Sequence, residues 1–419
     1  MKITLTPSQV CGTVKAIASK SAAHRLLICA AFAKGDTVIR CEELNEDIKA
    51  TVSCLSALGA RIVRDGSDFR VTPIKELSVG ALLDCGESGS TMRFLVPLTC
   101  LLGADASFQM RGRLPERPLS PLREELERCG ISFSPIGSNP LVCKGIVKES
   151  SFSIPGNVSS QFISGLLFAL AVSGRCGSVK IIGKLESEPY VNMTSDALSA
   201  FGVKVKKTTE GYSITENDGL VSPSVAFVEG DWSNAAFPLA MGAVGKHPIT
   251  VSGISKDSHQ GDKKITEILK EFGAKVKFCE NSVTVSPAPL HGIEIDASQI
   301  PDLVPVLATV ASIAEGKTRI YNAERLRIKE SNRLYTVSTM LNTLGAKVTE
   351  TSDGLIIEGV TRLSGGCVSS FGDHRIAMSA AVASLACDSS VVIDNADAAA
   401  KSYPDFWNDI EKLGVNSEE

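Results

Sequence analysis

A helix that ends in glycine and hands over to a strand recurs six times in this 419-residue chain. It reads "LSALGARIV", "LERCGISF", "LSAFGVKV", "LKEFGAKV", "LNTLGAKV" and "IEKLGV", with its glycine at Gly59, Gly130, Gly202, Gly273, Gly345 and Gly414. The spacing is 71, 72, 71, 72 and 69 residues. A glycine after the last helical turn supplies the left-handed residue that a helix C-cap needs. Most copies continue as an alternating strand, a polar turn and a second strand. A second helix repeats in phase, beginning near residues 21, 88, 160, 233, 302 and 374. These segments, such as "SKSAAHRLLICAAFAKG" and "GNVSSQFISGLLFALAVSG", are apolar on nearly every face, which requires burial. The repeating unit is therefore a buried helix, a strand, an amphipathic helix and a hairpin. Internal repetition at a fixed period constrains the fold more than any single motif.

The sixth unit runs out in "VNSEE" soon after Gly414, so its missing strand must come from elsewhere. The unassigned N-terminal segment "MKITLTPSQV" is the donor expected. Three units, residues 13–229, then form one domain, and residues 230–419 closed by residues 1–12 form the other. The length agrees, since 419 residues exceed one ordinary core. A net charge of −4 argues against a broad nucleic-acid surface. The twelve cysteines contain no C-x-x-C, which disfavours a zinc site and suits a reducing cytoplasm. "MKITLTPSQ" has no apolar signal region, and the longest apolar stretch is too short for a bilayer span, so no membrane role is expected.

The chemistry collects at the starts of the buried helices. Lys20, Arg25, Arg93 and Arg375 lie on or beside first helical turns, where the helix dipole disfavours cations by roughly 0.3–1 kcal/mol each. Singly, each has an ordinary reading. Ser21, Ser159, Ser160 and Asp302 suit capping positions, Ser120 suits the cap of "PLREELERCG", Arg333 can pair with Glu330 at i,i+3, and Arg117 and Lys401 can be solvated. Together the cations require an anion to reverse their cost. If the helices of each domain run parallel, their N-termini line a cleft that binds a ligand with at least two anionic groups. Lys20, Asp302 and Glu330 are the acid–base candidates. No P-loop, H-E-x-x-H or G-x-S-x-G is present.

The segments "SKSAAHR", "LPERPL", "VSSQF", "IPD", "IKESNRL", "GDHRIAM" and "KSYPDF" make the chain resemble, over its whole length, the 5-enolpyruvylshikimate-3-phosphate synthase family of enolpyruvyl transferases. The resemblance implies an α/β fold: a two-domain inside-out α/β barrel with three βαβαββ units per domain, closing on substrate. It implies transfer of the enolpyruvyl group of phosphoenolpyruvate to shikimate 3-phosphate on the route to aromatic amino acids. No cofactor or metal, no nucleic-acid or membrane partner, a monomer and a cytoplasmic location are expected. Carried over by motif, Lys20, Ser21, Arg25, Ser159, Ser160, Gln161, Ser187, Tyr190, Asp302 and Lys329 would meet shikimate 3-phosphate. Lys20, Gly89, Arg117, Gln161, Arg333, Arg375 and Lys401 would hold phosphoenolpyruvate. Asp302 would take the hydroxyl proton, and Glu330 with Lys20 would protonate the methylene. Glu87, Ser90, Phe94 and Arg325 depart from the usual pattern, which leaves sensitivity to the family's inhibitor glyphosate open. Two alternatives remain at this point: the UDP-N-acetylglucosamine enolpyruvyl transferase, which has Lys-Asn where this chain has Lys20-Ser21, and a non-catalytic phosphometabolite-binding relative.

Overall fold

The computed structural model describes residues 1–42 and 44–418. The chain divides into two compact units, Met1–Ser19 with Glu229–Glu419, and Lys20–Val228. The first crossing lies after Ser19 and not after Gly12, where the sequence had suggested it. The reason is pairing: strand Gly12–Lys15 runs parallel to Ile249–Ser252. Two further bonds, Ala16 N to Ser252 O and Ser19 N to Glu229 O, keep the following residues with that strand.

Among the described residues each unit holds three four-stranded sheets. Parallel neighbours need a long crossover, and the buried helix supplies it. Leu82–Asp84 pairs with Ser107–Gln109 across helix Gly89–Leu102, and Ser151–Pro155 with Gly177–Ile182 across Ser160–Val172. In the other unit Glu294–Asp296 pairs with Lys317–Tyr321, and Gly366–Ser369 with Val391–Asp394. The remaining two copies exchange their strands. Gly12–Lys15 precedes helix Lys20–Ala31, yet its partner follows helix Trp232–Val244. Val225–Phe227 precedes Trp232–Val244, yet pairs with Thr37–Arg40. The exchange lets each unit complete three sheets with one chain crossing in each direction. Lys2–Thr6 lies antiparallel between Val391–Asp394 and Asn416–Glu418, which completes the sixth sheet from the N-terminus as the sequence suggested.

The six repeat glycines all have φ between +89° and +117°. The buried helices are apolar because they form the cores. In Ser160–Val172, every residue from Phe162 to Ala171 is buried. Each large apolar side chain so placed contributes about 1.5–3 kcal/mol. Gly165 allows a close approach, since a Cβ there would lie 2.4 Å from the Arg93 carbonyl oxygen. Among the described residues no helix is long and apolar enough to cross a membrane.

The helix starts set up the chemistry. Ser88, Ser159, Asp231 and Asp373 cap four buried helices, accepting from the backbone N–H of Thr91, Gln161, Asn234 and Arg375. Such caps are worth about 1 kcal/mol each. Four capping expectations need correction. Ser21 lies inside helix Lys20–Ala31, and Ser160 is the first residue of Ser160–Val172 behind the cap Ser159. Pro121, without a side-chain bond, takes the position before Leu122–Arg128 expected of Ser120. Asp302 sits in a short 3-10 turn, Pro301–Leu303, and its carboxylate meets Arg333 and Arg375.

Candidate functional site

In the unit Lys20–Val228, two groups of cations form at helix starts. Lys20 Nζ lies 2.9 Å from Asp47 Oδ2, on the first turn of Glu46–Ala57. Arg25, 2% exposed, donates Nη1 to Ser21 O at 2.6 Å, Nη2 to Tyr190 O at 2.8 Å and Nε to Thr194 Oγ1 at 2.8 Å. Its guanidinium also lies 5.1 Å from the centre of the Phe94 ring. Burial lowers its pKa to about 10, which leaves it cationic at neutral pH. A planar five-donor group suits this web of fixed acceptors better than an ammonium. Tyr190 opens helix Glu188–Ala200 behind Ser187, whose φ is +55°.

The second group centres on Gln161. Arg93 Nη1 donates to Gln161 Oε1 at 2.9 Å, and Gln161 Nε2 donates to Ser90 Oγ at 2.8 Å. Arg93 Nη2 reaches Pro118 O at 3.3 Å. A Cβ on Gly89 would lie 3.0 Å from Nη1 of both Arg93 and Arg117. Two guanidiniums therefore converge on the N-terminal turn of a capped helix, an arrangement suited to a phosphate or carboxylate.

The unit that contains Glu229–Glu419 presents carboxylates. Arg333, 1% exposed, donates Nε to Asp373 Oδ2 at 2.8 Å, Nη1 to Asp302 Oδ1 at 2.8 Å and Nη2 to Glu330 Oε2 at 2.7 Å. Burial opposes its charge, but Asp373, Glu330 and Asp302 more than offset that and hold it protonated. Arg375 donates Nη1 to Asp302 O at 3.0 Å and Nη2 to Ser233 Oγ at 2.7 Å, with Asp302 Oδ2 3.2 Å away. Lys329 Nζ lies 3.9 Å from Asp302 Oδ1. Burial pushes Asp302 towards protonation, yet Arg375, Lys329 and Arg333 prevail and hold its carboxyl well below the usual range. Burial lowers Lys329 to about 8 against the pull of Asp302 and Glu330. Lys401 donates to Gly372 O at 3.1 Å, beside the start of helix His374–Ser384. The i,i+3 pair of Arg333 and Glu330 forms, but as one arm of a buried four-residue cluster.

Comparison with known proteins gives the chemistry a context. The family model for EPSP synthase (3-phosphoshikimate 1-carboxyvinyltransferase) matches residues 5–410. The chain belongs to the EPSP synthase family. A Clostridium perfringens 3-phosphoshikimate 1-carboxyvinyltransferase is 43% identical, with 100% of each chain covered. Its Clostridium acetobutylicum counterpart is 42% identical over 98% of this chain and 97% of the relative. The solved EPSP synthase from Acinetobacter baumannii superposes with a TM-score of 0.82 at 25% identity, covering 100% of this chain and 99% of the other. The enolpyruvyl transferase NikO from Streptomyces tendae, at 18% identity and a TM-score of 0.79 over 100% and 98% of the two chains, shares the fold.

Within this EPSP synthase family member, the departing residues have defined surroundings. Ser90 holds Gln161, so its hydroxyl is engaged. Phe94 is 1% exposed, with its ring edge-on to Phe168 and beneath Arg25. The Glu87 carboxyl lies against Gly112, where a Cβ would come within 2.6 Å of it. Arg325 donates to Ser298 O at 2.9 Å. The sequence reading passed over Asp47, Thr194, Ser233 and Asp262. Its own period contained a signal for two of them. Arg117, Ser187, Lys329 and Lys401 lie, in four units, between the strand that follows the buried helix and the amphipathic helix. In the other two units Asp262 lies at that place and Asp47 on the first turn of the helix itself.

Proposed function

We propose that the chain catalyses transfer of the enolpyruvyl group from phosphoenolpyruvate to the 5-hydroxyl of shikimate 3-phosphate, with release of phosphate. The observation that carries the reading is the Arg333 cluster, which holds two carboxylates, Asp302 and Glu330, on different prongs of one guanidinium. Addition to a vinyl phosphate needs a proton delivered to its methylene and a proton removed from the attacking hydroxyl. Glu330, assisted by Lys20, delivers the first, and Asp302 removes the second. The hydroxyl oxygen bonds to the phosphate-bearing carbon, giving a tetrahedral intermediate. Loss of phosphate and of a methyl proton then restores the double bond as an enol ether.

Lys20, Ser21, Arg25, Ser159, Ser160, Gln161, Ser187, Tyr190, Asp302 and Lys329 engage shikimate 3-phosphate. Lys20, Gly89, Arg117, Gln161, Arg333, Arg375 and Lys401 engage phosphoenolpyruvate, and the cations stabilise the departing phosphate. Three cations hold Asp302 ionised and weakly basic without substrate. Substrate anions compete for those cations, so binding itself raises the basicity of Asp302. The protein is read as a cytoplasmic monomer acting on two small molecules.

The test is phosphate release on mixing the protein with phosphoenolpyruvate and shikimate 3-phosphate, without added metal. Release is expected with this acceptor and not with UDP-N-acetylglucosamine. The opposite pattern would assign the chain to the sister activity, and release with neither acceptor would leave a binding protein.

A further inference from the structure

Two rungs join helices Lys20–Ala31 and Glu46–Ala57. The first is the Lys20–Asp47 pair. One turn further along both helices, His24 Nδ1 lies 2.6 Å from Thr51 Oγ1. This second rung continues into a third helix. Thr51 Oγ1 lies 2.6 Å from Thr91 Oγ1, and Thr91 Oγ1 donates to Ser88 Oγ at 2.8 Å. Ser88 caps Gly89–Leu102 and also accepts from Thr91 N at 3.3 Å. His24, Thr51, Thr91 and Ser88 are all buried. Each hydroxyl has one proton to give. Thr91 gives its proton to Ser88, so it accepts from Thr51, and Thr51 accepts from His24. This polarity makes His24 the neutral tautomer with its proton on Nδ1. Its Nε2 is buried with no partner among the described residues. Burial lowers the His24 pKa to about 3, helped by Lys20 and Arg25 and opposed by Asp47, so the relay keeps one polarity across the neutral range.

The relay ends at the turn assigned above to phosphoenolpyruvate. Behind the Ser88 cap come Gly89, on which Arg93 and Arg117 converge, and Ser90, which holds Gln161. An imidazole buried with one ring nitrogen unsatisfied fills a core less favourably than an apolar side chain, so its presence calls for a role beyond packing. We infer that His24 is a positioning residue for phosphoenolpyruvate: through Thr51 and Thr91 it fixes the Ser88 cap and the Gly89–Ser90 turn. It does so from a helix whose Lys20, Ser21 and Arg25 are assigned to shikimate 3-phosphate, and the inference rests on that functional reading. The anchor is three side chains long and ends one residue before the turn it orders.

Thr51→Val, Thr51→Ser, His24→Leu and the double variant His24→Leu/Thr51→Val test the inference through steady-state kinetics, shikimate 3-phosphate binding and melting temperature. Thr51→Val cuts the relay at its centre and leaves Lys20, Asp47 and Arg25 in place. It is expected to raise the KM for phosphoenolpyruvate about fivefold, the size of one lost neutral hydrogen bond. Shikimate 3-phosphate affinity should stay within about twofold of wild type. Thr51→Ser, which keeps the hydroxyl, should restore the KM. His24→Leu should match Thr51→Val in KM, and the double variant should be no worse than either, because both act through one relay. Thr51→Val strands the His24 Nδ1–H and lowers the melting temperature, whereas the double variant removes both partners and should recover it. A merely structural relay would recover KM together with melting temperature in the double variant. That result, an unchanged KM in Thr51→Val, or a shikimate 3-phosphate affinity that falls as far as KM rises would each overturn the inference. A wild-type protein that releases no phosphate would overturn the functional reading beneath it.

Discussion

The two units treat their buried cations differently. In Lys20–Val228, Arg25 and Arg93 donate to carbonyls, a hydroxyl and an amide, which are neutral acceptors, while the more exposed Lys20 pairs with Asp47. In the unit holding Glu229–Glu419, Arg333 is met by three carboxylates and Arg375 by Asp302. Neutral acceptors fix a guanidinium without cancelling its charge, so the first unit keeps positive potential for an anionic substrate. Carboxylates offset the charge but bring groups able to exchange protons, which suits the second unit to the proposed acid–base work. The contrast gives one repeated architecture two settings for a buried guanidinium.

Removing a cation from each unit tests that contrast most forcefully. Arg333→Met removes the buried cation shared by Asp373, Asp302 and Glu330, and is expected to cost about 3–5 kcal/mol in urea unfolding. Arg93→Met strands the Gln161 and Pro118 carbonyls, which are neutral, and should cost about 1–3 kcal/mol. Equal costs would break the comparison. A smaller effect is expected where no side chain exists. Gly89→Ala places a methyl 3.0 Å from the Arg93 and Arg117 guanidiniums and should raise the KM for phosphoenolpyruvate by about one hydrogen bond's worth, roughly fivefold to tenfold. Shikimate 3-phosphate binding, measured by calorimetry, should stay unchanged. If it weakens equally, Gly89 does not separate the two ligands.

The smallest effect concerns pH. Asp262, held at about 6 by burial and Asp302, keeps its proton in the folded state where the unfolded chain has lost it. The folded state therefore binds more protons between about pH 4 and 6, and this group's contribution to stability falls as pH rises through that window. Asp262→Asn should melt a few degrees above wild type at pH 7.5 and match it near pH 4. A variant that melts lower at pH 7.5 would make Asp262 a stabilising residue.

The repeat made the sheets and buried helices legible, because a core helix must be apolar on every face and a C-cap glycine shows its conformational need in the sequence. The exchange of Gly12–Lys15 and Val225–Phe227 was not legible, since a strand's own residues do not name its partner. Local rules suggested that Ser21, Ser120 and Asp302 cap helices. Asp302 turns instead to Arg333, 31 residues away in sequence, a contact that only the fold creates. The cations at helix starts pointed to the candidate residues. Asp47 and Asp262 were passed over because a lone aspartate in a polar loop looks solvated until its buried partner is known.

The central claim is that Glu330 works in proton transfer and not in holding shikimate 3-phosphate, and Glu330→Gln tests it most directly. Glu330 is a proposed proton donor outside the proposed shikimate 3-phosphate contacts. Turnover, measured as phosphate release, is expected to fall about a hundredfold or more, while shikimate 3-phosphate affinity by calorimetry stays close to wild type. Equal losses of turnover and affinity would contradict the account.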